Sequence, residues 1–478
     1  MIVIYILLGL IALFVAVILF RTFAFRPEKK VEYDSEKIEF DENKAVKNLQ
    51  TLVKFKTVSN YDKTLEDDNE FEGLIAALPD LYPEVIKNCE LKRFDGRALL
   101  FKWKGKSSLN PTVLMAHYDV VPVNADAWTV DPFAAVIKDG ALWGRGTLDT
   151  KVTFNGAMTA ADNLMASGFV PESDIYFAFS GGEEVNGPGA VNIVNYFSEN
   201  GIVPSLVVDE GGAVVKDVFP GVKEPCGLIG IAEKGMMDVE YKCKSQGGHA
   251  SAPKPHTPVG TLSAACVKIE NNPFKSHLTK PVEEMFSTLG RRSSFLYRMI
   301  FANLWCFKGV IDGMCKKSGG ELNALMRTTV AFTKASGSKA SNVIPPEATM
   351  ISNIRLNPED TMESALGYLK KTVDDENVEI TCVQGMNPSR ISDTNCDGWR
   401  KISNAVGATW KGCVVSPYLM VQCSDSRHYG RITDKVYRFS AMDLTSDERS
   451  SIHGNDEHIR LETISRSVEF YMRLIKQC

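Results

Sequence analysis

The apolar positions of the chain begin with one long run. Residues 2–20 are apolar apart from a glycine and a tyrosine, and the run approaches the ~20 residues that a membrane-spanning helix needs. We predict a single-pass anchor at residues 1–22, followed by a charged linker at 23–40. A cleaved signal peptide is the alternative, but no basic segment precedes the run and no small-residue cleavage site follows it.

Beyond the linker, the spacing of apolar residues changes to that of a folded domain. Val46, Leu49 and Val53 recur at helical spacing, so we predict a helix between Asp41 and Phe55. Short β-rich runs then alternate with helical stretches, and we expect strands at 112–117, 175–180 and 206–209 and helices at 152–166 and 190–198. This alternation predicts an α/β fold with parallel strands.

Composition narrows the class of protein. The chain has 478 residues, a hydrophobic fraction of 44% and a net charge of -5, which is typical of a globular protein of about two domains. Without a basic excess, no nucleic-acid partner is expected. Eleven cysteines lack zinc-finger spacing, so we expect mostly buried thiols.

Basic residues after the apolar run bear on membrane topology. Arg21, Arg26, Lys29 and Lys30 all follow it, and the positive-inside tendency would put the body of the protein in the cytoplasm. Large domains can override this tendency, so the side of the membrane stays open.

Possible metal ligands follow the predicted strands. His117 and Asp119 end the first strand, Glu183 and Glu184 follow the second, and Asp209 ends the third. A single acidic residue in such a place is usually a helix cap or a solvated loop residue. Several together at the carboxyl edge of a parallel sheet indicate a ligand site.

The same residue types fit a pair of zinc ions. Two ions about 3.5–4 Å apart need a bridging carboxylate, and Asp149, between a glycine-rich turn and a predicted helix, is the candidate. Of the neighbouring pair Glu183 and Glu184, one could bind metal while the other transfers a proton. The carboxylate of Asp119 could accept the second imidazole N–H of His117 and fix its tautomer.

An ordered set of motifs resembles a known family. The segments are MAHYDVVPV, GRGTLDTK, SGGEEVNGPGA, VVDEGG, GGHASAP, NVIPP, SDSRHY and IHGNDE. They resemble the zinc carboxypeptidase and aminoacylase family that includes glutamate carboxypeptidase, carboxypeptidase S and the N-acyl amino acid synthase/hydrolase. The resemblance covers nearly the whole chain after the linker. It implies an α/β zinc-peptidase core, with a mixed, largely parallel sheet flanked by helices, and an inserted smaller α+β lid domain.

The resemblance also assigns roles to residues of this chain. It implies two Zn²⁺ ions, with cobalt or manganese as alternatives, and Glu183 as the general base. Spacing alone could not choose His453 over His428 or His458. The implied metal ligands are His117 and Asp209 on one ion, Glu184 and His453 on the other, and Asp149 between them.

The lid is expected at residues 234–348, between core segments 41–233 and 349–478. His249 in GGHASAP resembles a lid histidine that stabilises the oxyanion of the reaction, although a glycine-rich turn could carry a histidine incidentally. Asn342 in NVIPP resembles a second polar contact, and a turn residue before two prolines is nearly as plausible. A homodimer through the lid is compatible with the resemblance.

Recognition of substrate is expected to involve arginine. Arg355 and Arg427 could each grip a free carboxylate through paired hydrogen bonds, and Arg427 could instead form a structural salt bridge. The chain departs from the family pattern here: Gln422 and Cys423 replace a glycine-containing lead-in, and Ser424 replaces a threonine. Substrate preference therefore cannot be copied from a relative.

One further stretch, residues 274–325, is rich in Phe, Leu, Met and Trp. We expect it to form the core of an enlarged lid; the alternative is a surface that contacts a membrane or long acyl chains.

Three functions are compatible with the sequence. The first is a carboxypeptidase that releases a C-terminal amino acid from short peptides, and the second is a hydrolase or synthase of fatty-acyl amino acids. The third is a catalytically silent scaffold, which the complete set of candidate ligands and base argues against.

Overall fold

The structure is a computed structural model that describes residues 1–27, 33 and 36–478. Residues 28–32, 34 and 35 of the predicted linker therefore lie outside the described residues. The helices are Ile2–Ala24 (α1), Glu42–Lys54 (α2), Asp68–Leu81 (α3), Pro83–Asn88 (α4), Lys151–Ala166 (α5), Gly189–Glu199 (α6), Pro258–Asn271 (α7), Lys280–Gly290 (α8), Phe295–Ala302 (α9), Leu304–Ser318 (α10), Gly320–Met326 (α11), Met362–Val373 (α12), Asp397–Thr409 (α13), Ser446–Ser451 (α14) and Leu461–Ile475 (α15).

The strands are Cys89–Phe94 (β1), Ala98–Trp103 (β2), Ser107–His117 (β3), Val136–Lys138 (β4), Ala141–Trp143 (β5), Ser173–Ser180 (β6), Leu206–Val215 (β7), Cys226–Glu233 (β8), Gly235–Lys244 (β9), Gly248–His249 (β10), Thr329–Ser336 (β11), Val343–Ile344 (β12), Glu347–Leu356 (β13), Val378–Met386 (β14), Val414–Met420 (β15), Val436–Leu444 (β16) and His458–Arg460 (β17). Short 3-10 helices cover Lys63–Leu65, Ala125–Ala127, Glu183–Val185 and Asp425–Arg431.

An eight-stranded sheet forms the main body, in the order β1-β2-β6-β3-β7-β16-β8-β15. β3 runs parallel to both β6 and β7, and β7 runs parallel to β16. The apolar runs that predicted these strands are buried because helices cover the sheet: α5 is buried along almost its whole length and packs against α15 and α2. The predicted α/β class and the predicted helix after Asp41 are confirmed.

A second, four-stranded sheet has the order β11-β13-β9-β14 and is antiparallel throughout. Together with α7 and α12 it encloses a separate apolar cluster that includes Val239, Tyr241 and Leu369. This sheet differs from the predicted lid at its end. Ala348 lies inside β13, and β14 continues the sheet to Met386, because strands far apart in sequence complete its ladder.

The apolar stretch at 274–325 does not form a lid core. Buried residues of α8 to α11, such as Phe286, Leu289, Phe301 and Ile311, belong to the apolar cluster of the main body. α8 packs against β15 of the main sheet, and α9 packs against α1. The preferred interpretation of this stretch as lid core is therefore wrong for α8 to α11, because their buried residues join the cluster of the main body; Phe274, before α8, belongs to the cluster of the second sheet.

The first helix, α1, is 23 residues long and almost entirely apolar up to Arg21, and most of its residues are exposed. Its length and composition fit a membrane span, and they fit a signal sequence equally.

Candidate active site

Chain segments from across the sequence meet at one edge of the main sheet. His117 ends β3 directly opposite Ser180, the last residue of β6, so the residues after both strands emerge side by side. Glu183 and Glu184 follow β6 in a 3-10 helix. Asp149 reaches the same edge from the turn that precedes α5.

Asp149 lies between two histidines. Its Oδ1 atom is 2.9 Å from Nε2 of His117, and its Oδ2 atom is 3.0 Å from Nε2 of His453. His453 Nε2 is also 3.3 Å from Oε2 of Glu184. His117, Asp149 and Glu184 form a group whose ligand atoms lie within 4.8 Å of one another. One carboxylate therefore faces two sets of metal-type ligands, one from each side.

The second such group contains Glu210 where Asp209 was expected. His117, Glu183 and Glu210 bring their ligand atoms within 4.8 Å of one another, and Oε2 of Glu210 is 3.3 Å from Nε2 of His117. Asp209 Oδ2 instead accepts a hydrogen bond of 2.9 Å from the backbone N–H of Ser426. The geometry thus brings Glu210, rather than Asp209, into contact with His117.

A β-bulge explains why Glu210, rather than Asp209, contacts His117. In the ladder between β7 and β16, Asp209 pairs with Arg438 but the next pair is Gly212 with Phe439, so Glu210 and Gly211 have no partner there. Gly211 has φ +138, and a Cβ atom at this position would lie 2.7 Å from Cβ of Arg438. The bulge needs glycine here and redirects the preceding side chain.

Asp119 supports the cluster in a way that the sequence did not predict. Its carboxylate accepts the backbone N–H groups of Glu183 and Glu184, each at 3.2 Å, and the hydroxyl of Ser59 at 2.7 Å. Its carbonyl oxygen is 3.0 Å from Nδ1 of His117, closer than the 3.4 Å to its carboxylate. The backbone of Asp119 therefore orients the imidazole, and its side chain orients the turn that carries both glutamates.

Glu457, from the same IHGNDE motif as His453, holds the turn that carries Asp149. Its fully buried carboxylate pairs with Arg145 at 2.5 Å and accepts the backbone N–H of Leu148 at 2.7 Å. Sequence reasoning missed this residue. Its only signal was its place in the motif, which does not separate a ligand from a support.

The electrostatics of the cluster favour a cation. Burial and the charge of Glu210 raise the pKa of Glu183 well above its usual value, and burial also raises the pKa of Glu210. Hydrogen bonds to Asp149 and Glu184 raise the pKa of His453 to about 10. Several buried carboxylates thus produce a strongly negative potential, which a metal cation would neutralise.

A buried atom in the cluster supports the same conclusion. Oε1 of Glu184 is buried without a hydrogen-bond partner among the described residues, and buried carboxylate oxygens rarely stay unpaired. Nitrogen and oxygen ligands of this kind suit zinc. The residues present therefore fit a metal pair.

The predicted lid residues lie outside this cluster. His249 is exposed on β10, where its Nδ1 atom is 2.7 Å from the hydroxyl of Ser251. Asn342 is also exposed, and its carbonyl accepts the N–H of Ala250 at 2.9 Å. The pairing of β10 with β12 brings these two residues together, but their hydrogen bonds remain within the lid.

The predicted substrate residues meet where the two sheets join. Arg355 on β13 donates to Sγ of Cys423 at 3.3 Å. The fully buried Ser424 donates its backbone N–H to Glu233 at 2.6 Å, and its carbonyl accepts Nε of Arg427 at 2.7 Å. Both guanidinium groups thus lie beside the SDSRHY segment, and Arg427 also contacts Met386 of the second sheet.

Asp425 in this segment is a further buried acid that sequence reasoning passed over. Burial and the neighbouring charge of Asp209 raise its pKa to about 7. It therefore extends the row of carboxylates beyond the ligand groups.

Comparisons with known proteins identify the family of the chain. The model of peptidase family M20/M25/M40 matches residues 113–477. The chain is 34% identical to "Probable carboxypeptidase S-like 2" of Dictyostelium discoideum, over 90% of this chain and 84% of the relative. It is 31% identical to "N-fatty-acyl-amino acid synthase/hydrolase PM20D1" of Xenopus tropicalis, over 98% of this chain and 93% of the relative.

Solved structures share the fold at low sequence identity. The M20 family metallo-carboxypeptidase Sso-CP2 from Sulfolobus solfataricus has a TM-score of 0.66 at 17% identity, covering 92% of this chain and 99% of its own. Human carnosine dipeptidase 1 has a TM-score of 0.64 at 14% identity, covering 91% and 96%. From the matched family model and the relatives above 30% identity, the chain belongs to peptidase family M20/M25/M40 and is an enzyme that hydrolyses amide bonds.

Proposed function

We propose that this enzyme releases a C-terminal amino acid from short peptides and depends on a pair of metal ions. The observation that carries the proposal is the carboxylate of Asp149, whose two oxygens face His117 and His453. The carboxypeptidase S-like relative supports peptides as the substrate class.

In this proposal His117 and Glu210 hold one ion, Glu184 and His453 hold the other, and Asp149 lies between them. Zn²⁺ is the proposed metal, with Co²⁺ or Mn²⁺ as alternatives. When bound, such a pair polarises the amide carbonyl and lowers the pKa of an attacking water.

Glu183 is the proposed general base. Its carboxylate takes a proton from the attacking water and delivers it to the departing amine, so one side chain serves both steps. Asp119 keeps Glu183 in place through the backbone N–H of that residue. Burial and neighbouring charges raise the pKa of Glu183, which favours its uptake of the proton from the attacking water.

Recognition of the free carboxylate is proposed for Arg355 and Arg427, beside Ser424. A guanidinium group binds a carboxylate through two parallel hydrogen bonds, which selects substrates with a free C-terminus. His249 and Asn342 are proposed to stabilise the developing oxyanion from the lid. A homodimer through the lid also remains a proposal.

The alternative substrate is a fatty-acyl amino acid. The N-fatty-acyl-amino acid synthase/hydrolase relative matches 98% of this chain, which is specific support for that activity. Both substrates place an amide bond beside a free amino-acid carboxylate, so the same residues would serve both and the acyl-side pocket would choose between them.

We also propose that α1 is a retained, single-pass membrane anchor. Most of α1 is exposed, but its residues Ile18 and Thr22 are buried against the body of the protein. A cleaved leader would have no need of such packing.

The test is amino-acid release by the purified full-length chain in lipid nanodiscs. Dipeptides and long-chain N-acyl amino acids would be assayed side by side, with chelator and after restoring Zn²⁺. Release that chelator abolishes and Zn²⁺ restores is expected, and the preferred half of the panel identifies the substrate class. Absence of release from every substrate, with metal bound, would contradict the proposal and favour the silent scaffold.

A further inference from the structure

We propose that the pair of helices α9 and α10, here called the hairpin, inserts into the bilayer beside α1, so that lipid covers its exposed apolar residues: acyl chains at the start of α10 and the headgroup region at the start of α9. These exposed apolar residues, here called the hairpin face, are Phe295, Leu296, Trp305, Val310 and Met314. The inference rests on α1 being a membrane anchor, as proposed above, and is independent of the substrate.

A buried polar contact sets how α9 and α10 meet α1. Asn303, between the two helices, is fully buried. Its Nδ2 atom lies 3.2 Å from the carbonyl oxygen of Ile18 and 3.3 Å from the hydroxyl of Thr22. Buried polar groups need specific partners, so this contact defines one register between α1 and the hairpin.

Contacts continue along α1 on both sides of Asn303. The rings of Phe14 and Trp305 are 5.7 Å apart, as are those of Phe23 and Phe295. Arg21 donates to the carbonyl of Ala302 at 3.2 Å. The hairpin therefore contacts α1 from Phe14 to Phe23, which is about half the length of that helix.

This register places the start of α10 deep in the membrane. An α-helix rises about 1.5 Å per residue, so Phe14 lies roughly 10 Å along α1 from Arg21. Arg21 carries the first charged side chain of the sequence and marks the edge of the apolar span. Half of a bilayer core is about 15 Å thick, so Trp305, beside Phe14, would lie within the acyl chains.

The exposed surface of the hairpin fits that position. Side chains of the hairpin face are between 46% and 61% exposed, and two of them, Phe295 and Trp305, contact the exposed rings of Phe23 and Phe14 on α1. Apolar patches that continue from one helix to the next mark a surface that water does not cover. Lipid is the occupant that also surrounds the rest of α1.

The charged residues of α10 are concentrated toward its end, the part expected near the membrane surface. Lys316 and Lys317 lie in its last turn, and Asp312 pairs with Lys316 at 3.1 Å. The first turn instead carries Trp305. Lys308 is the charged residue nearest to Trp305 in the sequence, and its long stem allows the ammonium to reach the lipid headgroups. α10 therefore begins in the acyl chains and ends toward the membrane surface.

Quenching of tryptophan fluorescence by brominated lipid tests the depth of Trp305. The full-length chain would be reconstituted in phosphatidylcholine vesicles whose acyl chains carry bromine near the bilayer centre or near the headgroup. Trp305 is the exposed one among the six tryptophans. We expect bromine near the centre to quench part of the emission, and Trp305→Phe to remove most of that quenched part.

Two further variants make the result specific. Trp399→Phe alters a half-buried tryptophan packed on Tyr437 in the main body and should leave the quenched part unchanged. Leu296→Trp, combined with Trp305→Phe, reports on a position near Phe23, so bromine near the headgroup should quench it more than bromine near the centre.

Flotation of the same vesicles separates the possible failures. A chain that floats with the vesicles but loses no bromine quenching in Trp305→Phe would overturn the hairpin inference and leave the anchor intact. A chain that does not float would overturn both. Trp305 emission that is unquenched by lipid and changes with protein density in the vesicles would identify a second copy of the chain as the occupant instead. None of these measurements depends on catalysis.

Discussion

Nε2 of His453 lies 3.0 Å from Oδ2 of Asp149, joining the segment after α14 to the turn before α5. The other oxygen of the same carboxylate faces His117 at 2.9 Å. Each of the three residues comes from a different part of the chain, so the site exists only in the folded protein. The supports of this contact can be tested one at a time.

Replacement of Glu210 should affect metal binding more than replacement of Asp209. Glu210→Gln is expected to remove one of the two proposed metal ions, because the Glu210 carboxylate lies against His117. Asp209→Asn should retain both ions, since Asp209 contacts the Ser426 backbone. Metal content of the dialysed protein, measured by mass spectrometry, decides between them. Loss of metal only in Asp209→Asn would identify Asp209 as the ligand, as the family resemblance implies.

Glu183→Gln should leave metal binding intact and reduce turnover by roughly 10²–10⁴-fold, the usual contribution of a general acid–base. The amide retains the shape of the carboxylate but cannot take a proton. Amino-acid release and metal content would be measured on the same samples, with Glu199→Gln at an exposed position as the control. Activity retained in Glu183→Gln would exclude this residue as the base.

Asp119→Asn should lower kcat while KM changes little. The carboxylate of Asp119 accepts the backbone N–H groups of Glu183 and Glu184, and the neutral amide would hold them less firmly. The general base is then less well positioned, whereas the substrate contacts remain. Ser59→Ala removes only one hydrogen bond to Asp119. It should lower kcat less than Asp119→Asn does and should lower the free energy of unfolding by about 1 kcal/mol. Steady-state kinetics and thermal melts check both. Equal kinetic losses in the two variants would contradict this role of the charge.

Arg145→Met should destabilise the fold by about 3–5 kcal/mol, because it leaves the buried Glu457 carboxylate without its partner. Arg93→Met is the matched control, since Arg93 and Glu72 form an ion pair that is about half exposed; such pairs contribute about 0–1 kcal/mol. Denaturant unfolding of the two variants measures the difference. Similar unfolding midpoints for the two variants would show that the buried Glu457 carboxylate does not need Arg145 as its partner.

The buried Lys234 should make the free energy of unfolding depend on pH in the neutral to alkaline range. Burial lowers the pKa of Lys234 to about 7 from its usual value near 10.5, so between these values the unfolded chain binds more protons than the folded one. The free energy of unfolding therefore gains a contribution that rises with pH over this window and is flat below pH 7.

Lys234→Met removes that contribution, although it also removes hydrogen bonds to the carbonyls of Ala324 and Arg327. The melting temperature of the variant, relative to the unaltered chain, should fall as pH increases from 7 toward 10. Lys244→Met, at an exposed position on β9, is the control. A difference that does not vary with pH would contradict a neutral buried lysine.

Much of the fold was predictable because it follows from local patterns. The apolar runs that end at His117 and Ser180 predicted two strands of one parallel sheet, and parallel strands bring their carboxyl ends to one edge. Helical periodicity after Asp41 likewise predicted α2. The resemblance, and not the spacing, singled out His453, and its proposed role remains a prediction.

The sequence by itself determined three strands of the main sheet, the acidic residues at their carboxyl ends and that α1 is apolar enough to span a bilayer. Tertiary structure decided that Glu210 rather than Asp209 faces His117, since this depends on a bulge against β16. It also decided that α8 to α11 pack on the main body and that Asn303 meets α1. The physical reason is the same in each case: bulges and buried polar contacts depend on partners distant in sequence, whereas periodicity records only which side of an element is apolar.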